Sequence, residues 1–227
     1  MIAGITWPAV VGAAAADSIN PCEFAVLIIL MATVLKSGSR QRALAAGLVF
    51  TAVVYCVYFL MGLGLMTAIA AAGITRNFYL IVAILAILIG LFNVKDYFWY
   101  GKWFVMEVPP SWRPAMKNIL RGVTSIPGAA LAGLLVSFFL LPCTSGPYIV
   151  ILGLLADTAT RLQAIPLLLL YNLIFVLPML IITIAVYRGL ATPSQLEEKR
   201  VKRIKQVHLI TGLIMIILGA WMLLRYF

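Results

Sequence analysis

The sequence predicts an all-α integral membrane protein of six transmembrane helices, built as two inverted three-helix repeats with helices 1 and 4 broken at Pro-Cys. Three observations predict it. Of the 227 residues, 64% are hydrophobic and only 11% are charged, where a soluble domain averages about 45–50% and about 25%. The apolar residues fall in six long runs without the period-2 alternation of barrel strands. Basic residues crowd into every second connection between those runs. Such a chain has too little polar surface to cover itself in water. Backbone groups that cross lipid must pair internally, which for continuous apolar runs means helices.

The runs lie at roughly 8–35, 43–70, 77–97, 122–156, 164–187 and 207–226; a crossing of about 30 Å takes about 20 residues. Span 1 has no basic flank and outruns the apolar stretch of a secretory signal, so it reads as retained. Lys36, Arg40 and Arg42 lie between spans 1 and 2. Lys95, Lys102, Arg113, Lys117 and Arg121 lie between spans 3 and 4, and Arg188, Lys199, Arg200, Lys202, Arg203 and Lys205 between spans 5 and 6. Fourteen of the 17 basic residues therefore share one side, leaving Arg76, Arg161 and Arg225 for the other. The positive-inside rule makes the rich side cytoplasmic and puts both termini outside. The net charge of +10 is thus a topology signal and a contact for anionic lipid, not a nucleic-acid surface.

The connections are short. Phe98 to Trp112 mixes aromatics with Lys and Arg and suits the headgroup region. Gln195 to Arg200 is a charged cytoplasmic stretch able to extend span 6.

An internal repeat orders the spans. Asn20-Pro21-Cys22 in span 1 answers Leu141-Pro142-Cys143 in span 4. Tyr55 and Phe59 in span 2 answer Tyr171 and Phe175 in span 5, and Ile87-Leu88-Ile89-Gly90 in span 3 answers Ile216-Ile217-Leu218-Gly219 in span 6. Three matches in one order point to halves at 1–97 and 122–227, joined by a linker at 98–121. A unit of three crossings is copied upside down, and inverted repeats put their working sites near the midplane on broken helices.

Cysteine chemistry follows from that placement. The chain has three cysteines, Cys22, Cys56 and Cys143, with neither a C-x-x-C pair nor a Cys/His cluster at metal-ligand spacing. Proline inside a helix removes a hydrogen bond and clashes with the preceding turn. Span 1 should therefore break before Pro21, with Asn20 as N-cap and Cys22 in the first turn of a new half-helix, where the dipole favours a thiolate. Pro142 repeats the device before Cys143, and Gly146 and Pro147 loosen the next turn. Equivalent positions in inverted halves can bring both thiols to the Cα separation of about 4.4–6.8 Å that a disulfide needs. A reversible Cys22–Cys143 disulfide is the expectation, against the alternative of two small buried hydrophobes. Cys56, whose counterpart is Asn172, reads as structural.

Asp17 and Glu23 flank the first Pro-Cys element. Charges at mid-membrane are costly and are usually functional or paired. Asp17 is open between a proton-relaying role and plain solvation; Glu23 reads as solvated or neutral. Tyr55, Tyr58, Tyr171 and Asn172 can line a cavity or bond between helices. Gly62, Gly64, Gly128, Gly133 and Gly153 read first as close-packing positions and second as hinges. His208, at the cytoplasmic end of span 6, is assigned no role.

On these residues the chain resembles the cytochrome c biogenesis CcdA family, the membrane module also found as the central domain of the reductase DsbD. The resemblance covers essentially the whole chain, and Pro142-Cys143-Thr144-Ser145-Gly146-Pro147 is its most specific string. Cys22-Glu23-Phe24-Ala25 lacks the proline that many members carry after this cysteine. The resemblance implies a prokaryotic plasma-membrane protein in which cytoplasmic thioredoxin reduces the Cys22–Cys143 disulfide. The dithiol then reduces an extracytoplasmic thioredoxin-like protein or another protein of the apocytochrome c pathway. No cofactor, metal or quinone is implied. Partners on opposite faces require alternating access, for which broken spans 1 and 4 are the moving parts.

Two other readings compete. A small-solute or metal-ion transporter on the same scaffold would use the broken helices and acids, but leaves the paired cysteines without a task. A quinone-linked thiol oxidase usually needs a C-x-x-C pair.

Overall fold

The computed structural model describes residues 3–18, 21–73, 75–99, 113–121, 123, 125–158 and 161–226; side chains are described at most of these positions, with 21–22 and 139–147 among the exceptions. Every regular element among the described residues is a helix: α1 (Ala3–Ser18), α2 (Pro21–Ser37), α3 (Arg40–Ala71), α4 (Thr75–Phe98), α5 (Arg113–Arg121), α6 (Ile126–Thr158), α7 (Arg161–Tyr187) and α8 (Pro193–Tyr226).

Stretches of α3, α4, α7 and α8 (Arg40–Ile69, Asn77–Phe98, Ala164–Tyr187 and Pro193–Leu224) are each long and apolar enough to cross a membrane. The α1–α2 pair makes a fifth when taken as one span. Large apolar side chains point outward along these helices, among them Leu60, Ile81, Leu173, Ile181 and Ile217, each more than half exposed. A soluble monomer rarely shows so continuous an apolar exterior. This is a multi-pass membrane protein in which lipid completes the packing.

The two proline sites differ. α1 and α2 are separate helices inclined at 45° to one another. α6 instead runs as one helix through Pro142 and Pro147, where a break was expected. Neighbouring helices can re-satisfy the backbone group that a proline leaves, so a membrane helix can carry the residue without ending there. The expected extension of span 6 is present, since α8 starts at Pro193. Between α4 and α6 the short α5 sends Leu120 into the core while Pro114, Ala115 and Asn118 stay exposed.

Helix ends follow local chemistry. Thr192 and Gln195 form a reciprocal capping box at the start of α8: Gln195 N–H donates to Thr192 Oγ1 at 3.4 Å, and Thr192 N–H to Gln195 Oε1 at 3.0 Å. Pro193 takes the first helical position, which its fixed φ suits. Ser39 and Ser125 accept from Arg42 N–H and Gly128 N–H in the same way. α7 ends in a Schellman motif, with Leu190 N–H on Ala185 O at 2.9 Å and Gly189 N–H on Val186 O at 3.1 Å. Gly189 has φ 71° there, a conformation that glycine adopts without penalty. The Arg40 guanidinium lies against Gly189, placing the start of α3 beside the end of α7 and a cation at that helix's negative pole.

Two antiparallel pairs organise the interior. Along α3 and α7, Gly47 faces Thr183, Tyr58 faces Phe175 and Gly62 faces Leu168. Along α4 and α8, Ala83 faces Gly219, Gly90 faces Gly212 and Asn93 faces His208. α6 runs parallel to α3, with Gly133 on Phe50 and Val53, and Tyr148 on Tyr58 and Gly62. α1 packs against α6 and α7, and α2 against α3, α6 and α8.

Candidate functional site

The expected redox residues fall on adjacent elements. Cys22 belongs to the first turn of α2 and Cys143 to α6, and α2 and α6 pack against one another. The side chains of Cys22, Cys143, Pro21, Pro142, Gly146 and Pro147, and the whole of Asn20, lie outside the described residues.

The described residues nearest to them in sequence belong to a polar cluster inside an apolar core. Asp17, at the end of α1, is 2% exposed, and Glu23, at the start of α2, is 1% exposed. The reading of either acid as merely solvated is therefore overturned: α1 and α2 are covered here by α6 and α7. Tyr171 of α7, fully buried, donates its hydroxyl to Asp17 Oδ2 at 2.9 Å. The Glu23 carboxyl lies within electrostatic range of the same hydroxyl. Burial weakens the competition from water and strengthens such a bond.

Tyr148 is the second hydroxyl. Its O–H donates to the Tyr58 backbone carbonyl, and the Asn172 side chain also reaches it. Glycine is required opposite: a Cβ on Gly62 would overlap the Tyr148 hydroxyl. The Tyr148 ring meets Tyr58 edge-on, with centroids 5.8 Å apart at 85°, and meets Tyr171 at 5.5 Å and 54°. Phe175 closes against Tyr58 at 5.3 Å. Asn172 Nδ2 donates to Leu168 O at 2.8 Å, while its buried Oδ1 accepts no hydrogen bond from the described residues. The cluster can hold a proton on a carboxyl that is bonded to a tyrosine hydroxyl and buried from bulk water.

Other expectations resolve differently. Tyr55 is only half-buried and stacks on Phe59 at 6.4 Å. Cys56 is exposed on the outer face of α3, away from the polar cluster. Gly64 meets nothing within 4 Å, so close packing is not its role, whereas Gly133 sits tightly on α3. The surroundings of Gly153 are not among those described. Among the described residues no group of three His, Cys, Asp or Glu side chains is placed to hold a metal.

Two features escaped the sequence reading. Tyr148 went unremarked although it is a polar aromatic in an apolar span, five residues beyond Cys143. His208 is 3% exposed, and its Nδ1 lies 2.8 Å from Asn93 Oδ1. Asp96, one turn further along α4, is fully buried and paired with Lys95 at 2.8 Å. The signal for this second polar contact was Asn93 and Asp96 recurring three residues apart near the end of an apolar run.

No family model, curated protein or solved structure matches the chain.

Proposed function

We propose that the protein is a transmembrane thiol–disulfide reductant conduit, in which a reversible Cys22–Cys143 disulfide carries electrons across the bilayer. The observation that carries the reading is the packing of the helix bearing Cys22 on the helix bearing Cys143, beside a buried acid–tyrosine cluster whose Asp17 and Glu23 bracket Cys22 and whose Tyr148 follows Cys143 in sequence. In this reading the molecule has six spans: α1 with α2, α3, α4, α6, α7 and α8. They form two inverted halves in which α1–α2 answers α6, α3 answers α7 and α4 answers α8. The contacts favour it. The Gly90–Gly212 approach and the Gly219–Ala83 approach exchange with one another under the alignment that pairs Gly90 with Gly219.

Electrons enter from cytoplasmic thioredoxin and leave to an extracytoplasmic thioredoxin-like protein that supports cytochrome c maturation, as the CcdA resemblance implies. A donor near about −270 mV and an acceptor near about −180 mV leave a drop of about 90 mV, or about 4 kcal/mol, so the transfer runs downhill. The cytoplasmic side is the face where Arg40 meets Gly189, with both termini outside.

The test is a trapping assay. In a Cys143→Ala variant, thioredoxin lacking its resolving cysteine should form a mixed disulfide at Cys22, seen as a gel shift that a reductant reverses. In wild type, oxidation should give a Cys22–Cys143 bond by mass spectrometry. Reducing power that still crosses the membrane after both cysteines are replaced by serine would overturn the proposal.

A further inference from the structure

Electrons that cross as a dithiol must be accompanied by protons. A thiolate released in the apolar core is a buried charge, costly at mid-membrane, and Asp17 at the end of α1 and Glu23 at the start of α2 are both buried. The described residues here include a carboxyl, a hydroxyl bonded to it and, on the next residue of α7, an amide oxygen with no described donor. Asp17 Oδ2 accepts from Tyr171 at 2.9 Å, and Asn172 Oδ1 is buried without a hydrogen bond from the described residues. The three sit on α1 and on consecutive positions of α7, beside the helices that carry Cys22 and Cys143. An orphaned acceptor buried in a protein core is costly. Left open one residue from the tyrosine that holds the carboxyl, it can receive a proton-bearing group.

We propose that Asp17, oriented by Tyr171 and assisted by Asn172, is the proton-transfer station of the thiol pair. This rests on the Cys22–Cys143 reading and deepens it. The balance is as follows. One thiolate of a donor protein dithiol attacks a sulfur of the Cys22–Cys143 disulfide; that S–S bond breaks, and the leaving sulfur takes a proton from the Asp17 carboxyl. The donor's second thiolate then attacks the mixed disulfide. The donor departs oxidised, and the second released sulfur takes another proton by the same route. The two protons gained are those lost by the donor's two thiols, which reload Asp17. Two electrons and two protons have moved, and no net charge has entered the core. Tyr171 and Asn172 are positioning residues that act through Asp17.

The experiment measures reduction of the oxidised wild-type protein in lipid nanodiscs by thioredoxin, from about pH 6 to about pH 8.5, around the ordinary thiol range. Asp17→Asn, Tyr171→Phe and Asp17→Glu are compared with wild type. Asp17→Asn should slow reduction by roughly a hundredfold at neutral pH, the low end of general acid–base contributions. The loss should shrink toward acid pH, where solvent supplies the proton. Tyr171→Phe keeps the ring and removes only the hydroxyl, so it reports even where Asp17→Asn fails to fold; it should slow the reaction several-fold with the same acid rescue. Asp17→Glu should restore most of the rate. Wild-type rates in both deletion variants, or slowing that is equal at every pH, would overturn the station and leave the disulfide conduit standing. A wild-type protein whose cysteines thioredoxin never reduces overturns the conduit itself, and this inference with it.

Discussion

Gly90 and Gly212 meet directly across α4 and α8: a Cβ on Gly90 would stand 2.8 Å from the Gly212 carbonyl oxygen, and one on Gly212 would stand 2.7 Å from that of Gly90. Gly219 repeats the approach on the Ala83 carbonyl at 2.8 Å. Lipid gives two apolar helices little reason to prefer each other over its own tails. Close backbone approach at small residues supplies the attraction instead. Gly212→Ala should therefore destabilise by about 1–3 kcal/mol, the usual range for overpacking. For a chain of this length that is a fall of several degrees in Tm. Gly64→Ala, at a position with nothing within 4 Å, is the matched control and should leave the melting curve in detergent unchanged. Equal effects from the two would show that helix propensity, not the α4–α8 seam, sets the result.

Gly62 and Tyr148 should behave as one unit. Gly62→Ala puts a methyl where the Tyr148 hydroxyl lies, so alone it should lower stability by about 1–3 kcal/mol. Tyr148→Phe removes that hydroxyl together with its bond to the Tyr58 carbonyl. In the double variant the collision is gone, and the two losses should fall short of additive by about 0.5 kcal/mol or more. Chemical or thermal unfolding of the four proteins in one detergent reads the coupling, and strict additivity would refute the contact.

His208 and Asn93 give a polar counterpart. Their 2.8 Å contact is buried between α4 and α8, so deleting either partner leaves the other's polar atom without this bond. Asn93→Leu and His208→Leu should each cost about 1–3 kcal/mol. Interhelical hydrogen bonds in membranes couple weakly, so the pairwise term from the double variant should come to about 0.6 kcal/mol and stay below about 1.7 kcal/mol. Thermal melting of the set measures it.

What the sequence made legible follows a physical division. Long apolar runs are a one-dimensional property, so α3, α4 and α7 could be placed to within a few residues, while α8 starts at Pro193, well before the apolar run at 207–226; the Pro-Cys string located the end of α1 and the start of α2. Burial of polar groups is three-dimensional. Solvation stood open for Asp17 and was the reading for Glu23 beside neutrality, yet both are buried, and nothing in the letters around His208 names Asn93, 115 positions away. Proline was the deceptive letter. At Pro21 it coincides with the start of a new helix, while at Pro142 the helix continues, because the residue removes a single hydrogen bond and its neighbours decide whether the chain bends or ends. Close packing was likewise readable at Gly62 and unreadable at Gly64, since only the partner surface distinguishes them.

The contact between Arg40 and Gly189 fixes a topology that labelling can test. It brings the α2–α3 and α7–α8 connections to one end of the molecule, while the turn around Gly73, between α3 and α4, lies at the other end of the long helix α3. Single cysteines introduced as Ser39→Cys, Thr192→Cys and Ala72→Cys, in a background with Cys22, Cys56 and Cys143 all replaced by serine, sample the two ends at exposed positions. A charged, impermeant maleimide applied to intact cells should label Ala72→Cys and spare the other two; inverted vesicles should reverse the pattern. The charge argument demands this sign, because the basic residues gathered at 36–42 and 188–205 resist translocation. Ser39→Cys and Thr192→Cys labelling from opposite sides would contradict the α3–α7 packing itself. Both labelling from outside would leave the fold intact and invert the side from which the proposed reductant approaches Cys22.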